Sequence, residues 1–251
     1  NEFDLGKLID TRERRRIVGD MVMTVLDQIN RRTYPDTVAV AHSNFDTHGY
    51  TIDPYFLLDH PQRAAIDVDV PYRIFLPKGL DGIYVIGLGV SAHRDAIPVI
   101  RMQPDIQNHG YAIGMAAAEV ARRGISTREL DVRALQKELA AIGIVPERVL
   151  QDKDSFPFPP DRIAEAVKQK NVAVILTQPE AASPLLRQAW HEAGGEDKLI
   201  YAQILAVLGD ATGIETILAA VDAREWDAGW KYKGMSQFGP ALSPLDGLLV
   251  A

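Results

Sequence analysis

Two short stretches of this 251-residue chain gather side chains that can move protons or hold ligands. The first is His42-Ser43-Asn44-Phe45-Asp46-Thr47-His48-Gly49-Tyr50, a polar run with two imidazoles and a carboxylate. The second is Gly87-Leu88-Gly89-Val90-Ser91-Ala92-His93-Arg94-Asp95, which leads on to Arg101. Imidazole titrates near neutral pH, so the histidines of these two stretches are groups that could exchange a proton.

Three chemistries compete for these residues. His42, Asp46, His48 and His93 could supply imidazole and carboxylate metal ligands, but their spacing matches neither a helical HExxH nor a closed zinc pattern. Gly89-Val90-Ser91-Ala92-His93 has the first half of a GxSxG nucleophile elbow and lacks its final glycine. The third possibility is a flavin ring, set between the end of a strand at Gly87, a loop of small residues and a helix whose positive N-terminal end would favour charge on the reduced ring. The residues alone leave these open. Plainer roles compete too: Arg12–Arg16 as a solvated face, Tyr72 and Arg73 as strand pins, and Trp226, Trp230 and Tyr232 as capping core rather than a carbohydrate or partner surface.

The elements that must position these groups can be read in outline. Residues 16–24 read as β, or as a helix beginning near Asp20. Asp67 to Leu76 alternates polar and apolar up to Pro71, as a half-buried strand does, and Pro77-Lys78-Gly79 turns the chain. Gly82-Ile83-Tyr84-Val85-Ile86-Gly87 reads as a buried parallel strand opening onto a site. Residues 106–123 predict a small, alanine-rich helix ending at Gly124. A helical glycine costs about 1 kcal/mol against alanine, so Gly110 and Gly114, four apart, point to close packing or a flat ligand. A further helix is expected over 131–142.

Phe156-Pro157-Phe158-Pro159-Pro160 suppresses helix and central strand and marks the best boundary. The organisation expected is a mixed α/β first half over 1–124, a helical and proline-rich connector over 125–160, and all-α HEAT-like repeats over 161–251. Helix pairs 171–178 with 183–193, and 197–208 with 212–221, would stack because no pair buries its own apolar face. Gly209 would close one helix and Asp210 start the next.

Composition excludes several classes. With 47% hydrophobic and 24% charged residues the chain can build a sizeable core. No apolar run nears the roughly 20 residues of a membrane-spanning helix. Thirty-four acidic against 27 basic side chains, a net charge of −7, oppose non-specific nucleic-acid binding. The lack of cysteine removes disulfides, thiolate metal sites and a cysteine nucleophile, and leaves the compartment open. The chain opens at Asn1 and stops inside the apolar Leu248-Leu249-Val250-Ala251, so a piece of a longer protein is expected.

Several blocks, in order, resemble one family. They are Arg12-Glu13-Arg14-Arg15-Arg16-Ile17-Val18-Gly19-Asp20, Asp46-Thr47-His48-Gly49, Val70-Pro71-Tyr72-Arg73-Ile74-Phe75-Leu76-Pro77, Gly87-Leu88-Gly89-Val90-Ser91-Ala92, Ile100-Arg101-Met102-Gln103-Pro104, and 110–118. The family is the FAD-dependent oxidoreductases with a flavin domain related to glutathione reductase. Members often carry arginine where Leu88 stands and histidine where Arg94 stands. The resemblance implies hydride or electron transfer through FAD to or from a small-molecule substrate. It places Gly87, Ser91, Gly110 and Gly114 beside the flavin and Asp46, Tyr72, Arg73 and Arg94 on the substrate side. His48, His93 and Arg101 would be the catalytic residues, with His48 or His93 handling the proton and Arg101, with Arg73, orienting an anionic or hydroxylated substrate or the flavin itself. It also implies a Rossmann-type unit with a GxGxxG loop, a motif this sequence lacks. The expectation is therefore the later part of such a flavoprotein, inactive alone and binding FAD weakly or not at all. The rival is a helical-repeat module that captures a protein partner without catalysis.

Overall fold

The structure, a computed structural model, describes residues 15–46, 51–59, 64–225 and 244–251. Thr24 opens the first helix, α1 (Val25–Ile29), with a capping box: its side chain accepts from the Asp27 N–H and Asp27 reaches back to the Thr24 N–H. Two strands follow, β1 (Thr37–Ser43) and β2 (Ile66–Pro71), with the short helix α2 (Tyr55–Leu58) between them. They pair antiparallel, Ala39 opposite Val70 and Ala41 opposite Val68, with a register shift between Thr37 and Ala39. Val38, Ala39, Ala41, Val68 and Val70 are buried. Asp69 is also buried, and both its oxygens accept from Arg148, at 2.9 and 2.6 Å.

The expected strand over 67–76 therefore stops at Pro71, and Tyr72–Phe75 forms a 3-10 turn. Nor do residues 16–24 make a full strand; Gly19 and Met23 form isolated bridges to Pro77 and Ala92 before α1 begins. Gly82–Ile86 forms no strand either: Ile83 and Ile86 are about half exposed, and a 3-10 turn follows at Gly87–Gly89. A β-rich run needs a strand neighbour to satisfy its backbone, and among the described residues the sheet has two strands, with none beside 82–86.

A short helix α3 (Ile97–Ile100) and the long α4 (Gln103–Arg123) pack against β1, as does α5 (Val132–Ala141). Gly124, at φ +63°, closes α4 in the left-handed conformation that glycine adopts without strain. In α5, Leu135 and Leu139 are buried while Ile142, beyond the helix end, is half exposed. Gln136 is wholly buried, and its amide donates to the Pro35 and Thr37 carbonyls, fixing α5 to the sheet's entry.

The proline-rich stretch is docked, not free. Arg32 forks onto Asp154 with two 2.8 Å bonds, reaches Asp27 at 2.9 Å and stacks on Tyr34 and Phe156. Beyond it come α6 (Pro160–Lys168), α7 (Val172–Ile175), α8 (Pro179–Glu192), α9 (Gly195–Val207) and α10 (Ile214–Asp222). Helix α8 packs on α6 and α9, and α9 on α10, around Ile163, Ile175, Leu186, Ile204 and Leu205. Gly209 closes the turn after α9 at φ +78°, and Asp210 accepts from the Thr212 N–H; α10 starts only at Ile214. The apolar end of the chain forms α11 (Pro244–Val250), which packs on α10 and α2 with Leu245 and Leu248 buried.

Candidate functional site

The loop after Gly87 is threaded through the first half by its backbone. Ser91 donates its N–H to Ile74 and accepts from Met23 through its carbonyl, and His93 donates to Met23 at 2.7 Å. The Ser91 hydroxyl accepts from the Gly19 N–H at 2.8 Å, and the side chain is completely buried. A Cβ on Gly19 would sit 2.8 Å from that of Ser91, so this contact needs glycine. Ser91 thus holds the strand-like segment before α1 and reaches no open surface.

Past Ser91 the chain turns and presents charge. Asp95 is fully buried; one carboxylate oxygen accepts from the Ile52 and Asp53 N–H groups at 2.6 and 2.8 Å, the other from Arg94 at 2.8 Å. That fixes the turn 51–55 against the loop. Asp53 accepts from the Tyr55 N–H with one oxygen and lies 3.5 Å from His93 Nδ1 with the other. Burial pushes the Asp53 carboxyl up from its ordinary range, while the Tyr55 N–H and His93 pull it down. The His93 side chain is half exposed, at 51%, against 8% for Asp53. The arrangement is an accessible imidazole with a buried carboxylate behind it, which is the geometry of a proton-exchanging group with an orienting partner.

Arg101 follows α3 and donates to the Asp46 carbonyl at 2.8 Å, with its side chain 8% exposed. It ties the end of the 42–46 segment to the start of α4. His48 lies outside the described residues, as do Trp226, Trp230 and Tyr232. His42 pairs with Asp67 on the neighbouring strand at 2.6 Å, and among the described residues no three His, Asp or Glu side chains converge as metal ligands.

Tyr72 and Arg73 stand elsewhere. The buried Tyr72 hydroxyl donates to the Thr127 carbonyl and meets the Tyr84 hydroxyl at 2.6 Å; burial pushes its pKa up, so it stays protonated. Arg73 forks onto Asp36 at 2.9 and 3.0 Å. Both residues line a cleft of about 440 Å³ with Asp20, Asp36 and Arg128, a cleft that none of His93, Arg94 or Arg101 reaches. Among the described residues, Tyr72 and Arg73 thus share a cleft that the His93, Arg94 and Arg101 side chains do not line.

Helix α4 supplies a third surface. Among the described residues, a Cβ on Gly114 would meet nothing within 4 Å, and one on Gly110 only the tip of Ile86 at 4.0 Å. These two glycines leave a face without side chains, bordered by the half-exposed Ile86, with the half-exposed Tyr111 on the same helix. A flat aromatic ring can lie on such a face. Opposite it, His109 is buried beneath Phe75, edge to face at 5.5 Å, and burial lowers its pKa to about 4. Asp105, one turn earlier, is buried and accepts from the His42 N–H.

Asp53 and Asp95 were not singled out by residue type. Asp53-Pro54-Tyr55 carries a local turn signal, an aspartate bonding two residues ahead, but its proximity to His93 is a tertiary fact.

Residues 3–139, more than half of the chain, match the family model of the FAD dependent oxidoreductases, and the chain belongs to that family. No curated protein and no solved structure shows significant similarity to it.

Proposed function

We propose that this chain supplies the ring-facing and substrate-side portion of an FAD-dependent oxidoreductase related to glutathione reductase. The observation that supports it most is the side-chain-free face of α4 at Gly110 and Gly114, within the region matched to the family. The residues fit the ring end of FAD: Gly87, at φ +68°, Gly110 and Gly114 would border the ring, with Ile86 packing on it. FAD, when bound, supplies the hydride or electron-pair chemistry. His93 exchanges the accompanying proton with a small-molecule substrate, and His48 is the alternative. Arg94, Asp46 and Arg101 shape the substrate side, while Tyr72 and Arg73, engaged with Tyr84, Thr127 and Asp36 in a different cleft, take no part in it. Ser91 acts from beneath by fixing the loop. The ADP half would be held by a GxGxxG unit, which this sequence does not contain. The chain alone is therefore expected to be inactive.

We further read the part beyond residue 160 as a HEAT-like array appended to the flavoprotein portion. Its support is the succession of α6, α8, α9 and α10, each packed on its neighbours, with Ile214 and Leu218 of α10 exposed. Such a face suits a protein partner.

Riboflavin, which has the ring and no ADP, separates the two halves of the reading. Titration of the chain should quench riboflavin and FAD fluorescence with similar weak affinity. Gly114→Leu should abolish both while leaving the helical circular dichroism intact, because the added Cβ meets none of the described residues. Binding of FAD far tighter than riboflavin would overturn the absent ADP grip, and quenching indifferent to Gly114→Leu would overturn the ring face.

A further inference from the structure

We infer that Asp53 is a positioning residue for His93, accepting a hydrogen bond from Nδ1–H and leaving Nε2 as the nitrogen that exchanges protons. This deepens the reading of His93 given above and rests on it. The geometry comes from three segments far apart in sequence. The Asp53 carboxylate is 8% exposed, and its Oδ2 stands 3.5 Å from His93 Nδ1. Its other oxygen is occupied by the Tyr55 N–H at 3.0 Å, so only Oδ2 is directed to the imidazole. Asp95, wholly buried, grips the Ile52 and Asp53 N–H groups and so holds the turn in place. Arg94 donates to Asp95 at 2.8 Å. On the other side, His93 is anchored by its own N–H on the Met23 carbonyl.

Among the described residues, the charged groups placed by the imidazole are Asp53, directly against it, and the Arg94–Asp95 ion pair next along the chain. A neutral imidazole carries its proton on one nitrogen, and the partner of the other nitrogen decides which. A carboxylate can only accept, so Asp53 selects the Nδ1–H tautomer. Asparagine at the same place can turn its amide N–H toward Nδ1 and select the opposite tautomer, as happens when the orienting aspartate of a catalytic triad is replaced.

The test is a long-range ¹⁵N–¹H correlation spectrum of the histidine-labelled chain at alkaline pH, with the His93 signals assigned by their loss in His93→Gln. The wild-type ring should be predominantly Nδ1–H. Asp53→Asn should invert it to predominantly Nε2–H, a change that the cap on the Tyr55 N–H would not produce. A wild-type ring already carrying its proton on Nε2 overturns the inference by itself, even if Asp53→Asn fails to fold. An unchanged tautomer in a folded Asp53→Asn protein overturns it as well. The flavin reading fails by a separate route, the riboflavin titration, which leaves this signal unaffected.

Discussion

Ser91 and His109 show how a polar residue type can disguise a structural role. The Ser91 hydroxyl satisfies the Gly19 N–H inside the core. Ser91→Ala leaves that donor unpaired, so thermal unfolding should report a loss of about 1–3 kcal/mol, with riboflavin quenching unchanged. Ester hydrolysis lost on the same substitution would instead support a serine nucleophile. His109 is 1% exposed, with Nε2 lacking a partner among the described residues. Its pKa of about 4 when folded lies below the ordinary value of 6.5, so the unfolded chain binds the proton more readily. The neutral ring's stabilisation is therefore complete above about pH 6.5 and is lost as pH falls toward 4, a change of roughly 3 kcal/mol at most. Urea unfolding at pH 5 and pH 7.5 should differ by about 2 kcal/mol from this group, since pH 5 lies inside the window, and His109→Leu should reduce the difference. Neither role was legible in the sequence, because burial of one helix face or loop hydroxyl depends on what packs above it.

Among the elements, α4 was the most legible. Its alanine-rich composition and its Gly124 terminator are local features, and hydrogen bonds within a few residues form the helix and close its end. The run 82–87 was the least legible. Apolar, β-branched composition describes a pleated, half-buried surface, yet it supplies no partner, and without one Ile83–Ile86 stays irregular. In the second half, α9 and α10 fall close to the expected 197–208 and 212–221, but the expected helix 171–178 is only Val172–Ile175, and α8 packs on α6, a helix the periodicity did not pick out. At the α9–α10 turn, Gly213 has φ +98°, and a Cβ there would sit 2.8 Å from Trp190 Nε1 and 2.9 Å from the Ala202 Cβ. Gly213→Ala combines backbone strain with overpacking, and should cost roughly 2 kcal/mol in chemical denaturation. Retention of the parent midpoint would show that α10 is not seated on α9 as described.

For the whole molecule, the first half meets the helical part where α7 packs on α1 and α2, and Arg32 ties the connector between them to α1. One guanidinium bridges Asp27 of α1 and Asp154 of the connector while lying over Tyr34 and Phe156. Asn30 adds a bond to the Ala173 carbonyl at 2.7 Å. Arg32→Ala strands the nearly buried Asp27 carboxylate, and should destabilise by about 2 kcal/mol. Hydrogen exchange over 151–159 should accelerate at the same time. Lysine should rescue little, since a single ammonium cannot fork to one carboxylate while reaching the other. Unaltered exchange there would mean that the connector is held elsewhere.

Residue order alone settled the identities that local physics can enforce: where α4 and α5 run, where glycine ends a helix, where prolines interrupt regular structure, and which blocks belong to a flavoprotein family. Such features depend on backbone geometry and on contacts a few residues away. The tertiary structure decided that Asp53 faces His93, that Ser91 is internal, and that Tyr72 and Arg73 open onto a different cleft. Those placements join segments tens of residues apart, and they follow from which apolar faces bury one another, a choice made by the folded chain as a whole and written in no single stretch of it.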